Sequence, residues 1–186
     1  MGRSLHGNFE VKRGFKQMQE EEKSVEERIK GLKKIVDDPD EAQKFIDQGI
    51  LFQQAFGFTE GQMRNFYDFA KELCEQERIR DAADVFLVLT ALNPYVCHFW
   101  LGLGLCHKIE GNYHRALFDY SMGMAVDSKN PYVFYNMADC YYHIDQIHVA
   151  KEFIEICMET CNGQDEYLEL QGEALRFKER IQTRVA

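Results

Sequence analysis

Apolar residues recur along most of this chain at helical spacing, and short polar joints interrupt each stripe. "IRDAADVFLVLTALNP" puts Ala82, Phe86 and Leu89 on one helical face. "GNYHRALFDYSMGMAVD" does the same with Ala116, Tyr120 and Gly123, and "DQIHVAKEFIEICMETC" with Ala150, Ile154 and Cys157. Ala82, Ala116 and Ala150 stand 34 residues apart, twice over. The tetrapeptide NPYV also recurs, at 93–96 and 130–133, but its spacing of 37 departs from that period by about one helical turn. In both copies the Asn is expected to cap a helix and the Pro to occupy its first position. The run VFLVLTAL alone would pass for a buried strand; the shared register makes it the second helix of a hairpin.

The flanks carry different patterns. Residues 1 to 24 are polar, hold Glu20 to Glu22 in a row and show no stripe, so a disordered tail is expected. Val25, Ile29, Leu32 and Val36 mark an amphipathic helix. Asp38, Pro39 and Glu41 then open another, with Ala42, Phe45, Ile46, Ile50 and Phe56 on one side. Thr59 and Gln62 form a capping box before the first repeat. Leu170, Ala174, Phe177 and Ile181 predict a last helix over 165–186 that covers the end of the stack.

A 34-residue period resembles the tetratricopeptide repeat, and the resemblance extends to pattern. Units of 63–96, 97–130 and 131–164 share a register across many positions. The fourth position is Phe66, Trp100 or Phe134, and the seventh is Phe69, Leu103 or Met137. The eighth is small: Ala70, Gly104 or Ala138. At the turn, Gly111 in the middle unit has Glu77 and Asp145 as counterparts. The expected fold is all-α: three such repeats over 59–164 in a short superhelical solenoid, with flanking helices at both ends.

Composition narrows the function. The chain has 186 residues and a net charge of −9, which disfavours nucleic acid and anionic membrane as partners. No apolar run approaches the roughly 20 residues of a membrane span, and the start lacks a signal-peptide core. Six scattered cysteines read as thiols in a reducing compartment. No cofactor or metal is expected. His143 and His148 are badly spaced for a helical metal pair, and Cys157 with Cys161 cannot fill a zinc shell alone. "GLGLC" lacks the Lys and Ser/Thr of a phosphate loop. His107 reads as a hydrogen-bonded core residue, and the chain as no enzyme.

In solenoids of this kind the first helix of each repeat lines a concave face, at its second, fifth, ninth and twelfth positions. Here these are Arg64, Tyr67, Lys71 and Cys74; His98, Leu101, Leu105 and Lys108; Tyr132, Tyr135, Asp139 and Tyr142. Tyrosines offer rigid apolar area with a polar tip, suited to gripping an extended peptide. The carboxylate clamp of some repeat families uses Lys where Tyr67 and Tyr132 stand, Arg where Asn136 stands, and Asn where Lys71 and Gly102 stand, so its cationic fork is missing and such a clamp is not expected.

"HFWLGLGLCHKIEGNYHRALFDYSMGMAVDSKNPYVFYNMADCYY" resembles the middle of the class II type III secretion chaperones, the SycD/LcrH/IpgC/SicA group. The F-[FW]-L-G-L-G-x-C run and the D-x-K-x-P turn carry the likeness, which extends from about Gly49 to Cys161. The resemblance implies a chaperone of the bacterial cytoplasm whose clients are pore-forming translocators. It implies capture of a P-x-L-x-x-P-like segment in the groove, homodimerisation through N-terminal helices within 25–58 (candidates Ala42, Phe45, Ile46 and Ile50), and possible work with a transcriptional regulator. Lys71 and Cys74 stand where relatives commonly carry aromatics. The competing reading is a generic repeat scaffold that joins other protein partners.

Overall fold

The computed structural model describes residue 43 and residues 47–185. The tail, the stripe from Val25 to Val36, the cap at Asp38 to Glu41, and Ala42, Phe45 and Ile46 lie outside the described residues. The chain divides into two units, Met1–Thr59 and Glu60–Ala186. In the first, the short helix α1 (Phe52–Ala55) stacks Phe52 on Phe56 at 6.0 Å between ring centres. The Gln53 amide there donates to the Phe58 carbonyl.

The second unit is a run of helix hairpins: α2 (Glu60–Glu75) and α3 (Ile79–Leu92), α4 (Cys97–Ile109) and α5 (Tyr113–Val126), α6 (Pro131–His143) and α7 (Ile147–Cys161). A single 3-10 turn, Asp165–Tyr167, leads into α8 (Leu168–Val185). No strand occurs among the described residues. Each helix packs on the next, and α2, α4, α6 and α8 also touch one another in sequence. The first helices therefore form a continuous inner layer, the arrangement of a tetratricopeptide solenoid.

One joint repeats three times. Glu77, Gly111 and Asp145 all adopt left-handed backbone, with φ of 61°, 79° and 63°. Behind each, the next residue's N–H reaches back six residues' span to a carbonyl, Arg78 to Leu73, Asn112 to His107 and Gln146 to Tyr141, all at 2.9 Å. This closure satisfies carbonyls that a helix end leaves orphaned. Only the middle unit uses glycine for it.

The two NPYV copies do different jobs. Asn130 caps α6, its side chain accepting from the Tyr132 N–H, and Pro131 takes the first helical position. Asn93 instead ends α3: its N–H donates to the Leu89 carbonyl and its side chain accepts from the Tyr95 N–H at 3.1 Å. The expected helix start at Asn93–Pro94 is not made; α4 begins at Cys97, and the Trp100 indole N–H holds the intervening loop through the Pro94 carbonyl at 2.8 Å.

The core follows the register. Ala82, Ala116 and Ala150 are fully buried, as are Leu89, Tyr120, Ile154 and Cys157. Glycines in α4 let helices close further than alanine would. A Cβ on Gly104 would sit 2.5 Å from the Tyr120 ring, and one on Gly102 would collide with the Phe86 ring. The G-L-G pair thus exists because the second helices of units one and two place an aromatic ring against α4. Phe66 and Phe69 occupy packing positions yet are 40% and 50% exposed, since no repeat precedes α2 within its unit. At the other end Leu170, Ala174, Phe177 and Ile181 are buried against Phe134, Ala138, Ile154 and Cys161, so α8 covers the last hairpin.

Candidate functional site

The inner layer opens into a cavity of about 450 Å³ between α2, α4 and α6. It is lined by seven of the twelve expected groove residues: Tyr67, Lys71, Cys74, His98, Leu101, Leu105 and Tyr132. Phe86, Gly102, Glu75 and Asn136 complete it. Its exposed wall is mostly apolar, with Leu105 39% and Tyr132 45% accessible.

Local structure explains the placing of each side chain. Tyr67 and Lys71 are one turn apart on α2, and the Lys71 ammonium lies 5.8 Å from the Tyr67 ring centre. The Tyr67 ring is fixed from beneath by Phe86 at 5.8 Å and Phe99 at 6.0 Å and flanked by His98 at 6.5 Å. Phe86 reaches the cavity because Gly102 has no side chain in its path. Burial, then the neighbouring Asp68 and Cys74 charges, raise the Tyr67 phenol above its ordinary value, so it stays a neutral donor.

The remaining expected residues go elsewhere. Arg64 is exposed outside the cavity lining. Lys108 crosses from α4 to α6, donating to Asn136 at 2.8 Å and pairing with Asp139 at 3.0 Å. Both members of that pair are largely screened from water, which makes it a clip between units two and three rather than an open charge. Tyr135 and Tyr142 pack edge-on against Phe177 of α8, at 5.9 and 5.5 Å. The guanidinium groups of Arg180 and Arg184 lie 5.3 and 4.8 Å from the Tyr142 ring centre. These tyrosines sit at groove positions, but the chain's own last helix covers them; the cavity is concentrated on units one and two. Of the first unit's dimerisation candidates, only Ile50 is described, and it is half-buried.

Two features escaped the periodicity. Phe86 lines the cavity from the second helix of unit one, which only the three-dimensional stacking reveals, whereas Gly102 and Asn136 line it from the sixth positions that the sequence marks as places of the missing clamp. The second is a buried pair between α4 and α5: His107 Nδ1 lies 2.5 Å from Asp119 Oδ2. Burial raises the Asp119 carboxyl, and its bond to His107, the His107 charge and Arg115 oppose that rise. The expectation of a hydrogen-bonded core histidine matches this geometry.

No general family model matches the chain. It is 27% identical over 146 residues to the low calcium response locus protein H of Yersinia pestis, covering 75% of this chain and 87% of that protein. Among solved structures, it is similar to the type III secretion translocator chaperone SycD of Yersinia enterocolitica, with TM-score 0.68, 25% identity, and coverage of 70% of this chain and 97% of that one. SycD in complex with a peptide of the translocator YopD matches with TM-score 0.65 and 26% identity over 69% of this chain and 98% of that one. Repeat register, the G-L-G approach in α4 and these likenesses together make the chain similar to the class II type III secretion chaperones.

Proposed function

We propose that this chain is a type III secretion chaperone of the bacterial cytoplasm that keeps translocator proteins soluble and competent for export. It acts without catalysis, by holding a short extended segment containing Pro and Leu in the cavity between α2, α4 and α6. The observation that carries this reading is the cavity itself: an open, apolar cleft of about 450 Å³ on the inner layer, floored by Tyr67, Leu101 and Leu105. The SycD–YopD peptide complex supports it, as a protein of the same fold that takes a translocator peptide. No helix among the described residues is long and apolar enough to cross a membrane.

Energetics favour a two-part grip. Three buried anchors would each gain about 2 kcal/mol, and association costs about 4 kcal/mol or more. A short ribbon alone therefore binds weakly, and tight capture needs a second contact with the client. The N-terminal unit is the candidate for homodimer formation, with Ala42, Phe45, Ile46 and Ile50 as its apolar side, and a transcriptional regulator is a candidate further partner.

Co-expression with an aggregation-prone, membrane-active client tests the proposal. The client should stay soluble with the native chain and precipitate when Tyr67 or Leu101 is replaced by a charged residue. A client that stays soluble with both variants would instead favour a general scaffold that ignores the groove.

A further inference from the structure

The cavity contains a chemical feature that ribbon binding does not use. Cys74 Sγ and Cys106 Sγ lie 3.9 Å apart. They belong to the first helices of successive repeats, α2 and α4, which already touch. Cys74 is half-buried and lines the cavity, whereas Cys106 is fully buried behind it. We propose that Cys74 and Cys106 are a modification site: a thiol pair that closes to a disulfide by exchange with a small-molecule disulfide, tying α2 to α4 across the cavity floor.

The geometry separates this pair from the other cysteines. A disulfide needs its sulfurs about 2.05 Å apart, so from the present 3.9 Å the pair must approach by about 1.9 Å. Cys97, Cys140, Cys157 and Cys161 are all buried, and none of them lines this cavity. Cys157 and Cys161 neighbour each other only along one helix.

The order of events follows from access. The Cys74 thiolate attacks one sulfur of a small disulfide RSSR, forming the mixed disulfide Cys74–S–S–R and releasing RS⁻. Cys106 sulfur then attacks the Cys74 sulfur, the bond to R breaks, and the departing RS⁻ takes up the Cys106 proton. Two protein thiols are oxidised and one RSSR is reduced to two RSH. Burial, then the neighbouring Cys74, push the Cys106 thiol up to about 12, which disfavours its attacking RSSR first; its resolving step rests on its position beside Cys74.

Closure fixes the separation of α2 and α4, between which Tyr67, Lys71, Leu101 and Leu105 form the cleft. On the reading of that cleft as a ribbon site, on which this consequence rests, oxidation prevents the two helices from parting around a ligand.

The full reduced chain is incubated with oxidised glutathione, and its linkages are mapped by mass spectrometry of unreduced peptides. The expected product is a Cys74–Cys106 link. Cys106→Ala should stop at one glutathione on Cys74, Cys74→Ser should give neither, and Cys140→Ala should keep the link. A native chain that stops at the glutathione adduct, links Cys74 to another cysteine, or does not react overturns the proposal. In parallel, a Pro/Leu-containing peptide is titrated into both forms: the oxidised form should bind about tenfold more weakly, with recovery after dithiothreitol, and unchanged affinity overturns the effect on the cleft. A reduced chain that binds no ribbon would sink the ribbon reading, while the mass map would still decide the link.

Discussion

His107 and Asp119 face each other at 2.5 Å between α4 and α5, and both are nearly excluded from solvent. The pair replaces hydrophobic contact with a polar bond at the heart of the middle repeat. Removing one partner strands the other: Asp119→Ala should cost about 3 kcal/mol in urea unfolding. Replacing both with leucine should recover most of that loss, because no buried polar atom is then left without a partner.

Gly104 is the small position where the Tyr120 ring comes closest to α4. Gly104→Ala should therefore destabilise by about 1–3 kcal/mol through overpacking. Thermal unfolding of Gly104→Ala beside a Gly104→Ala/Tyr120→Leu double variant would show the smaller ring relieving the clash.

The left-handed turn at Glu77 carries a strain that glycine does not. Glu77→Gly should stabilise by about 1 kcal/mol, and Gly111→Ala should destabilise by a similar amount, both read from the unfolding midpoint.

Burial pushes the thiols of Cys106, Cys140 and Cys157 up to about 12 and that of Cys97 to about 11, from 9.0. Between pH 9 and these values the unfolded chain loses thiol protons that the folded chain keeps. The folded state then binds more protons, so this contribution is full below pH 9 and is lost as pH rises. Urea midpoints under reducing conditions should fall as pH rises from about 9 toward 11, less so in Cys140→Ala.

Position in the groove predicts which tyrosines act on a ligand. Tyr67→Glu should weaken ribbon binding by about tenfold or more with the fold intact. Tyr142→Glu should act mainly on stability, since Phe177, Arg180 and Arg184 surround that ring. Calorimetric titration beside thermal unfolding separates the two effects.

The period was legible because packing demands it: Ala82, Ala116 and Ala150 sit where two helices meet, and all three are fully buried. The turn at Glu77, Gly111 and Asp145 was legible from alignment of the units, although only one of its residues is glycine. What the pattern could not supply was contact across units. Lys108 looked like a groove cation, but its carboxylate partner Asp139 lies a whole repeat away. Tyr135 and Tyr142 occupy groove positions, and only the return path of α8 puts Phe177 over them. Asn93 and Asn130 share a tetrapeptide, yet the helix end before Asn93 and the helix start after Asn130 give them opposite roles.

A stack built from one recurring joint has no intrinsic stopping point. Left bare, the outer side of α7, with Ile154, Cys157 and Cys161, would offer the next copy's leading helix the same seat that one repeat offers another. Such head-to-tail contact grows into open filaments wherever its rotation does not close into a ring. By seating Leu170, Ala174, Phe177 and Ile181 there, α8 terminates the series within a single molecule and keeps a sticky architecture from polymerising.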